Sequence, residues 1–354
     1  MLALVKTKKG KDAMELRDVP EPVIADDEVL IEVKAAGICG TDMHVKHDTF
    51  PYWPPVTMGH EFAGVIADRG GAVTGWEIGD RVIGEPHTLH CGQCYLCRRG
   101  YIQNCADKRS PGWGIDGAFT KYLKYPTKLL HRIPDGMTFS QAALVEPAAN
   151  TVTDIIERKA IEAGDFIVLL GPGPIGLMAA QAARTAGARE ILIVGAPADQ
   201  GLRLDTARQL GFDNVIDFSK TNPLEKCLEM TAGIGADLVI ECSGAPPAIA
   251  QTFELVRKWG RICAIGYRQE AGAARLGRGH DQKRHPLFQH VHHVCELGKD
   301  DLDGGAEENR RRSSDNPRTP SERMGTGLRR ARKHGGPEGG ADPLSWTEKQ
   351  SSVI

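Results

Sequence analysis

Hydrophobic and polar positions divide the 354-residue chain into three stretches of different rhythm. Up to about residue 150, short β-type apolar runs alternate with turns marked by glycine and proline. Residues 28–33, 62–67 and 80–83 are predicted strands, and residues 1–150 read as a mostly β domain. Near residue 140 the period changes. Residues 140–160 are predicted helical, 166–170 form a wholly apolar strand, and 175–186 form a helix. Residues 191–194, 237–242 and 261–266 continue as strands. Strands separated by helices predict a parallel, doubly wound α/β sheet over residues 151–267.

The rhythm stops after Tyr267. From there to the end the chain has two aromatic residues, Phe288 and Trp346, and one isoleucine, Ile354, but six of its 12 histidines and the basic clusters 310–312 and 329–333. Such a stretch buries too little apolar surface to offset its chain entropy, so 268–354 is expected to be a disordered tail. A basic nucleic-acid arm is disfavoured, because acids are interspersed and no aromatic platform is present. The preferred explanation is a shifted reading frame, with the slip between about residues 268 and 275. Residues 276–282 and 322–328 can be back-translated so that one alternative frame gives amphipathic segments, and residues 333–344 so that it ends in Ala-Val-Leu-Ile-Pro and a stop. The cluster His290, His292, His293 and Cys295 could bind metal, but a frame-shifted segment has no selected geometry.

Composition narrows the class. With 44 basic and 46 acidic residues the formal net charge is −2, which gives no reason to invoke nucleic acid or an acidic membrane. No apolar run approaches the ~20 residues of a membrane helix, and the first residues carry no signal-peptide h-region. A cytoplasmic protein is expected. Nine cysteines, four of them clustered in one short loop, point to metal rather than disulfides.

Cys91, Cys94, Cys97 and Cys105 follow a C-x2-C-x2-C-x7-C pattern. Four thiolates in one loop can close a tetrahedral shell around Zn²⁺ and leave no open position, as a structural site requires. A nucleic-acid zinc finger would need a recognition helix or basic face, and none follows. A second set comprises Cys39, Thr41 and His44 in 37–44, then His60 and Glu61, with Glu146 further on. Thiolate, imidazole and carboxylate are the ligands of an open, catalytic zinc site. Third, Gly171, Gly173 and Gly176, with Pro174 and Ile175 between them, follow a strand and open a helix, as a dinucleotide fingerprint does. The acidic residue expected about 20 positions on for the ribose is absent; Asp199 lies late, and Arg203 could meet a 2′-phosphate, so NAD and NADP both stay open. Cys227, Cys242 and Cys263 lie in apolar contexts and are expected in the core. Phe50 and Trp53 could line a substrate pocket.

Together, in this order, these motifs resemble the zinc-containing medium-chain dehydrogenase/reductase family, over residues 1 to about 267. The likeness is to its polyol and L-threonine dehydrogenase branch. The resemblance implies a GroES-like catalytic domain followed by a Rossmann NAD(P)-binding domain, two Zn²⁺ per chain, a small alcohol substrate and a homo-oligomer, the last put in doubt by the tail. It implies Cys39, His60 and either Glu61 or Glu146 as ligands of the catalytic zinc, with Thr41 and His44 relaying the substrate proton. Zinc would act as a Lewis acid on the alcohol oxygen while hydride passes to the nicotinamide. A different class, an inactive relic without a functional C-terminal part, is the alternative.

Overall fold

The computed structural model describes residues 1–266 and the strand 287–290; the expected disorder, the reading-frame slip and the cluster at His292, His293 and Cys295 lie outside the described residues. Strand β1 (Leu2–Lys6) pairs antiparallel with β2 (Met14–Asp18) and with the short β4 (Val56–Thr57). Between them run β3 (Glu28–Gly37) and helix α1 (Gly40–Lys46). Strands β5 (Glu61–Arg69), β6 (Arg81–Gly84), β7 (Tyr122–Pro126) and β8 (Leu130–Arg132) join β3 in a five-stranded antiparallel sheet, in the order β7-β3-β5-β6-β8. Helix α2 (Tyr95–Arg98) lies in the excursion between β6 and β7. One face of this sheet packs on Val29, Ile31, Phe62, Ile66, Val82 and Tyr125. The all-antiparallel pairing agrees with the β reading of this part of the chain.

The predicted helix over 140–160 is broken. Helix α3 (Phe139–Ala143) starts on a Thr138–Gln141 capping box, and α4 (Val145–Val152) follows at once. Pro147 explains the break: it has no amide hydrogen for a helical bond, so it is accommodated only in the first turn of a new helix. A wider π-type turn, Thr153–Glu157, then ends the segment.

Strand β9 (Phe166–Leu170), helix α5 (Pro174–Thr185), β10 (Glu190–Gly195), α6 (Arg203–Gln209), β11 (Val215–Asp217), α7 (Pro223–Met230), β12 (Ala236–Glu241), α8 (Pro246–Leu255) and β13 (Val256–Ala264) alternate as expected. With β14 (Leu287–His290) they form one parallel sheet in the order β11-β10-β9-β12-β13-β14. This is the 3-2-1-4-5-6 order of a dinucleotide-binding sheet. In β9, Ile167 and Leu169 face one core with the alanines of α5, while Phe166, Val168 and Leu170 face the other with Cys227 and Leu255. Burial on both faces is why this strand reads as an unbroken apolar run. Cys227 and Cys263 are buried, and Cys242 packs against the α5 side, in line with their core assignment. Strand β14 departs from the sequence reading, which put this segment in a structureless tail. It pairs in parallel with β13, from Arg261 opposite Leu287 to Ala264 opposite His290. The open edge of β13 offers unpaired backbone groups, which an extended segment can satisfy without periodicity of its own.

Asp154, in the π-type turn, is fully buried, and neither carboxylate oxygen has a hydrogen-bond partner. Burial pushes its pKa up to about 7, partly offset by Arg158. The folded-state pKa therefore lies above the value near 3.8 of the exposed group, so between about pH 4 and 7 the folded protein holds a proton that the unfolded chain has lost. Stability must fall as pH rises through this window and level off above it, by at most about 4 kcal/mol. Asp154→Asn should remove that slope. Urea unfolding at pH 5 and pH 8 is expected to show a gain over the parent that is larger at pH 8; an equal effect at both values would contradict it.

Candidate metal centre and nucleotide turn

The pairing of β3 with β5 sets Gly37 opposite Glu61. Cys39 follows Gly37 by two positions as the N-cap of α1, and His60 precedes Glu61, so the register brings three donors together. One ligand atom each from Cys39, His60 and Glu61 lies within 4.8 Å of the others. Gly37 is required by this approach, because a Cβ there would overlap the Glu61 carboxylate. Gly59, at φ +93°, turns the chain into His60 in a conformation that favours glycine, under the Phe119 ring.

The set is buried. His60 and Glu61 are each 6 % exposed. Burial raises Glu61 to about 7, offset by His60 and reinforced by Glu146. Glu146 itself is raised by burial, with His60, a 3.2 Å hydrogen bond from Asn150 and Lys108 opposing the shift. The donors fit Zn²⁺: a thiol, an imidazole and a carboxylate converge, and a dication would balance negative charge that burial otherwise disfavours. Glu61 is in the converging triad; Glu146 is coupled to it electrostatically but stands outside those three.

Asp42 was not singled out from the sequence. Its Oδ2 accepts from the Cys39 backbone N–H at 2.9 Å, and its Oδ1 lies 3.6 Å from His60 Nδ1, an ion-pair rather than a hydrogen-bond distance. A carboxylate behind a metal-binding imidazole orients the ring. The only available signal was its position three places after Cys39, where it closes a capping box. Thr41 Oγ1 is 3.6 Å from Cys39 Sγ. His44 Nδ1 is 3.0 Å from Thr49 Oγ1, and burial together with His47 holds its imidazole below the ordinary pKa.

The other thiols also converge: Cys91, Cys94, Cys97 and Cys105 offer sulfurs within 4.8 Å of one another. Sulfur separations of 3.6 Å (Cys91–Cys105) and 3.9 Å (Cys91–Cys97) are far from bonding distance, and all four cysteines are free. Backbone amides point at the sulfurs: Cys94 N–H donates to Cys91, Cys97 N–H to Cys94 and Cys91 N–H to Cys105. The Gln93 and Cys94 amides lower Cys91 to about 7, whereas burial raises Cys97 to about 12. Four sulfurs in a loop with little core of its own fit a closed Zn²⁺ shell.

At the C-terminal edge of the parallel sheet the three glycines have separate tasks. Gly171 adopts φ +94°, and a Cβ would strike Ser243. A Cβ on Gly176 would run into the Gly171 carbonyl. Gly173, the N-cap of α5, has open space where its Cβ would be, followed by Pro174 and Ile175 in the first turn. That space and the amide end of a 12-residue helix suit a pyrophosphate. Glu241 accepts from the Ser243 and Gly244 amides and so shapes the facing loop, a contribution the sequence reading missed. Asp199, late in sequence, folds back to the end of β10: it is 7 % exposed, accepts from the Ala196 amide at 2.8 Å and from Arg203 Nη1 at 2.8 Å. Arg203 is therefore paired with this acid and not unengaged toward a 2′-phosphate.

Comparison with known proteins agrees with this architecture. The alcohol dehydrogenase GroES-like domain matches residues 25–135, and the zinc-binding dehydrogenase domain matches residues 174–284. The chain belongs to the zinc-containing medium-chain dehydrogenase/reductase family, and it is an oxidoreductase of CH–OH groups that uses zinc and NAD(P). A sorbitol dehydrogenase of Halalkalibacterium halodurans is 41 % identical over 75 % of this chain and 77 % of that protein. An L-threonine 3-dehydrogenase of Rhizobium etli is 36 % identical over 75 % and 77 %. Among solved structures, a zinc-binding dehydrogenase of Sinorhizobium meliloti bound to NADP is 30 % identical, with a TM-score of 0.75 over 82 % of this chain and 83 % of that one. No described helix is long and apolar enough to cross a membrane.

Two substitutions separate the metal sites. Gly37→Ala should displace Glu61 and remove one of two zinc ions per chain, while Cys94→Ser should remove the other; elemental analysis of the purified variants measures both. Gly173→Val should fold but fail to bind NADH or NADPH in a fluorescence titration, because its side chain fills the open space at the helix end.

Proposed function

We propose that this chain oxidises a secondary alcohol of polyol type to the ketone, passing hydride to NAD(P)⁺, with residues 1–150 as catalytic domain and 151–267 as nucleotide domain. The observation that carries this reading is the convergence of Cys39, His60 and Glu61 within 4.8 Å, on a chain whose parallel sheet carries a dinucleotide turn. L-Threonine is the alternative substrate, supported by the second relative. Cys39, His60 and Glu61 would hold Zn²⁺, which would supply Lewis acidity toward the alcohol oxygen. Asp42 orients His60. Glu146 stands ready as an alternative carboxylate. Thr41 and His44 share one face of α1, three positions apart. The Thr41 hydroxyl takes the substrate proton, and neutral His44 accepts it and passes it outward. The Gly171–Gly176 turn holds the pyrophosphate. Thiol ligands of this kind stay reduced in the cytoplasm, where we place the reaction.

Cys39→Ala and His60→Ala should each lower turnover by about a thousandfold or more, as several kcal/mol of charge stabilisation are lost. NADH affinity should stay unchanged, because the nucleotide turn belongs to the other half. Glu61→Gln should cost more activity than Glu146→Gln. Equal, near-parental activity of both variants would remove the carboxylate from the ligand set.

The matches to relatives cover about three quarters of the chain, which supports the reading-frame slip near residue 270. Sequencing the coding DNA there, and shifting the frame by one nucleotide, should give a slightly shorter protein that is soluble and oxidises a polyol or threonine. A gene with no such alternative frame would end that explanation.

A further inference from the structure

Two neighbouring cations, one of them coupled electrostatically to Glu146, form no close ion pair with a carboxylate. Among the described residues, neither Lys108 nor Arg109 takes part in an ion pair, although many other cations do, such as Arg261 with Asp165 and Arg257 with Asp237. Both sit on aromatic faces instead. The Arg109 guanidinium lies 3.4 Å from the centre of the Trp53 ring, and Lys108 Nζ lies 5.2 Å from that of Trp113. The two indoles pack with centroids 6.2 Å apart, and Phe50 meets Trp113 edge-on at 5.3 Å. Trp53, expected from sequence to line a pocket, is 39 % exposed, so this cradle opens to solvent.

The backbone holds the pair in place. Lys108 N–H donates to Cys105 O, on the last cysteine of the four-sulfur loop, and Arg109 exchanges two backbone hydrogen bonds with Leu89. Further along the same segment, Ala118 N–H donates to Gly59 O at 2.9 Å, directly before His60, and Trp113 O accepts from Trp53 N–H. The cations are thus held by backbone bonds on the chain segment that, at Ala118, hydrogen-bonds to the residue before His60. Lys108 is half-buried, burial lowers its pKa, and the charge that offsets this is Glu146. A desolvated ammonium and a planar guanidinium on ring faces keep donors for an incoming anion; guanidinium in particular matches the paired oxygens of a carboxylate or phosphate.

We propose that Lys108 and Arg109 bind an anionic oxygen group, a carboxylate or a phosphate monoester, at the far end of the secondary alcohol whose hydroxyl meets the Cys39–His60–Glu61 centre. This rests on the dehydrogenase reading and narrows its substrate class.

The test measures dissociation constants by calorimetry on the zinc-loaded full chain with NADH present. Sorbitol is compared with sorbitol 6-phosphate, and 2,3-butanediol with L-threonine; the two arms separate phosphate from carboxylate. In at least one arm the anionic alcohol should bind about tenfold or more tightly than its neutral counterpart, with the gap shrinking in high salt. Lys108→Gln and Arg109→Gln should close the gap and leave neutral alcohols unchanged. Equal binding of both members in both arms overturns the proposal, as does a Lys108→Gln variant that weakens neutral and anionic ligands alike or loses zinc, since the lysine would then serve Glu146. Failure of the dehydrogenase reading is a separate result: Lys108-dependent anion binding would persist while no alcohol reduces NAD⁺ or NADP⁺.

Discussion

The antiparallel register of β3 against β5 is the constraint on which the candidate centre depends. With Gly37 opposite Glu61, the chain leaves one strand into Cys39 and enters the other from His60, so two metal donors far apart in sequence arrive at neighbouring positions. A one-residue slip would turn every side chain of the strand to the other face. It would also exchange the one residue that tolerates the Glu61 carboxylate for one with a Cβ. The apolar side chains of Ile31, Phe62 and Ile66 lock that register, because they must stay in the core. The stability of the sheet and the geometry of the centre are therefore the same interaction.

The parallel sheet solves a different problem. Its central strands are buried on both faces, so they can bear no polar groups, and chemistry is confined to their ends. At that edge Gly171 crowds Ser243 and Gly176 crowds the Gly171 carbonyl, which leaves Gly173 as the open position. The glycine turn is thus shaped by contacts within the protein. The metal donors stand on the other sheet system, so the two halves can lose function independently.

The parts legible in the sequence are those where one physical requirement dominates. Unbroken apolar strands, a glycine turn and closely spaced cysteines each have one simple explanation, and the structure places them accordingly. Strand β2 was not legible: Met14 and Leu16 alternate with Glu15 and Arg17, but the pattern spans only five residues and most of them are exposed. The break within 140–160 turns on Pro147 alone, which a periodicity reading of the whole segment averages away. Asp42, Lys108 and Arg109 belong to no spacing motif that marks them in the sequence. Their significance arises from what folding puts next to them. Asp42 meets His60 and Arg109 meets Trp53 only in the folded chain, because each pair is well separated in sequence.

Charge balance ties these late-recognised residues to the centre. A dication there would be neutralised by one thiolate and one carboxylate, which Cys39 and Glu61 provide with neutral His60. Glu146 is then a surplus negative charge in a buried place, and Lys108 is the cation electrostatically coupled to it. Arg109 remains outside this balance, its guanidinium met by the face of Trp53 and by the Lys108 carbonyl, which accepts from Nη1 at 2.9 Å. A ring face attracts a cation much less than an oxygen anion does. The net positive charge left at the edge of an otherwise balanced site is therefore a physical reason for it to discriminate among alcohols by the charge at their far end.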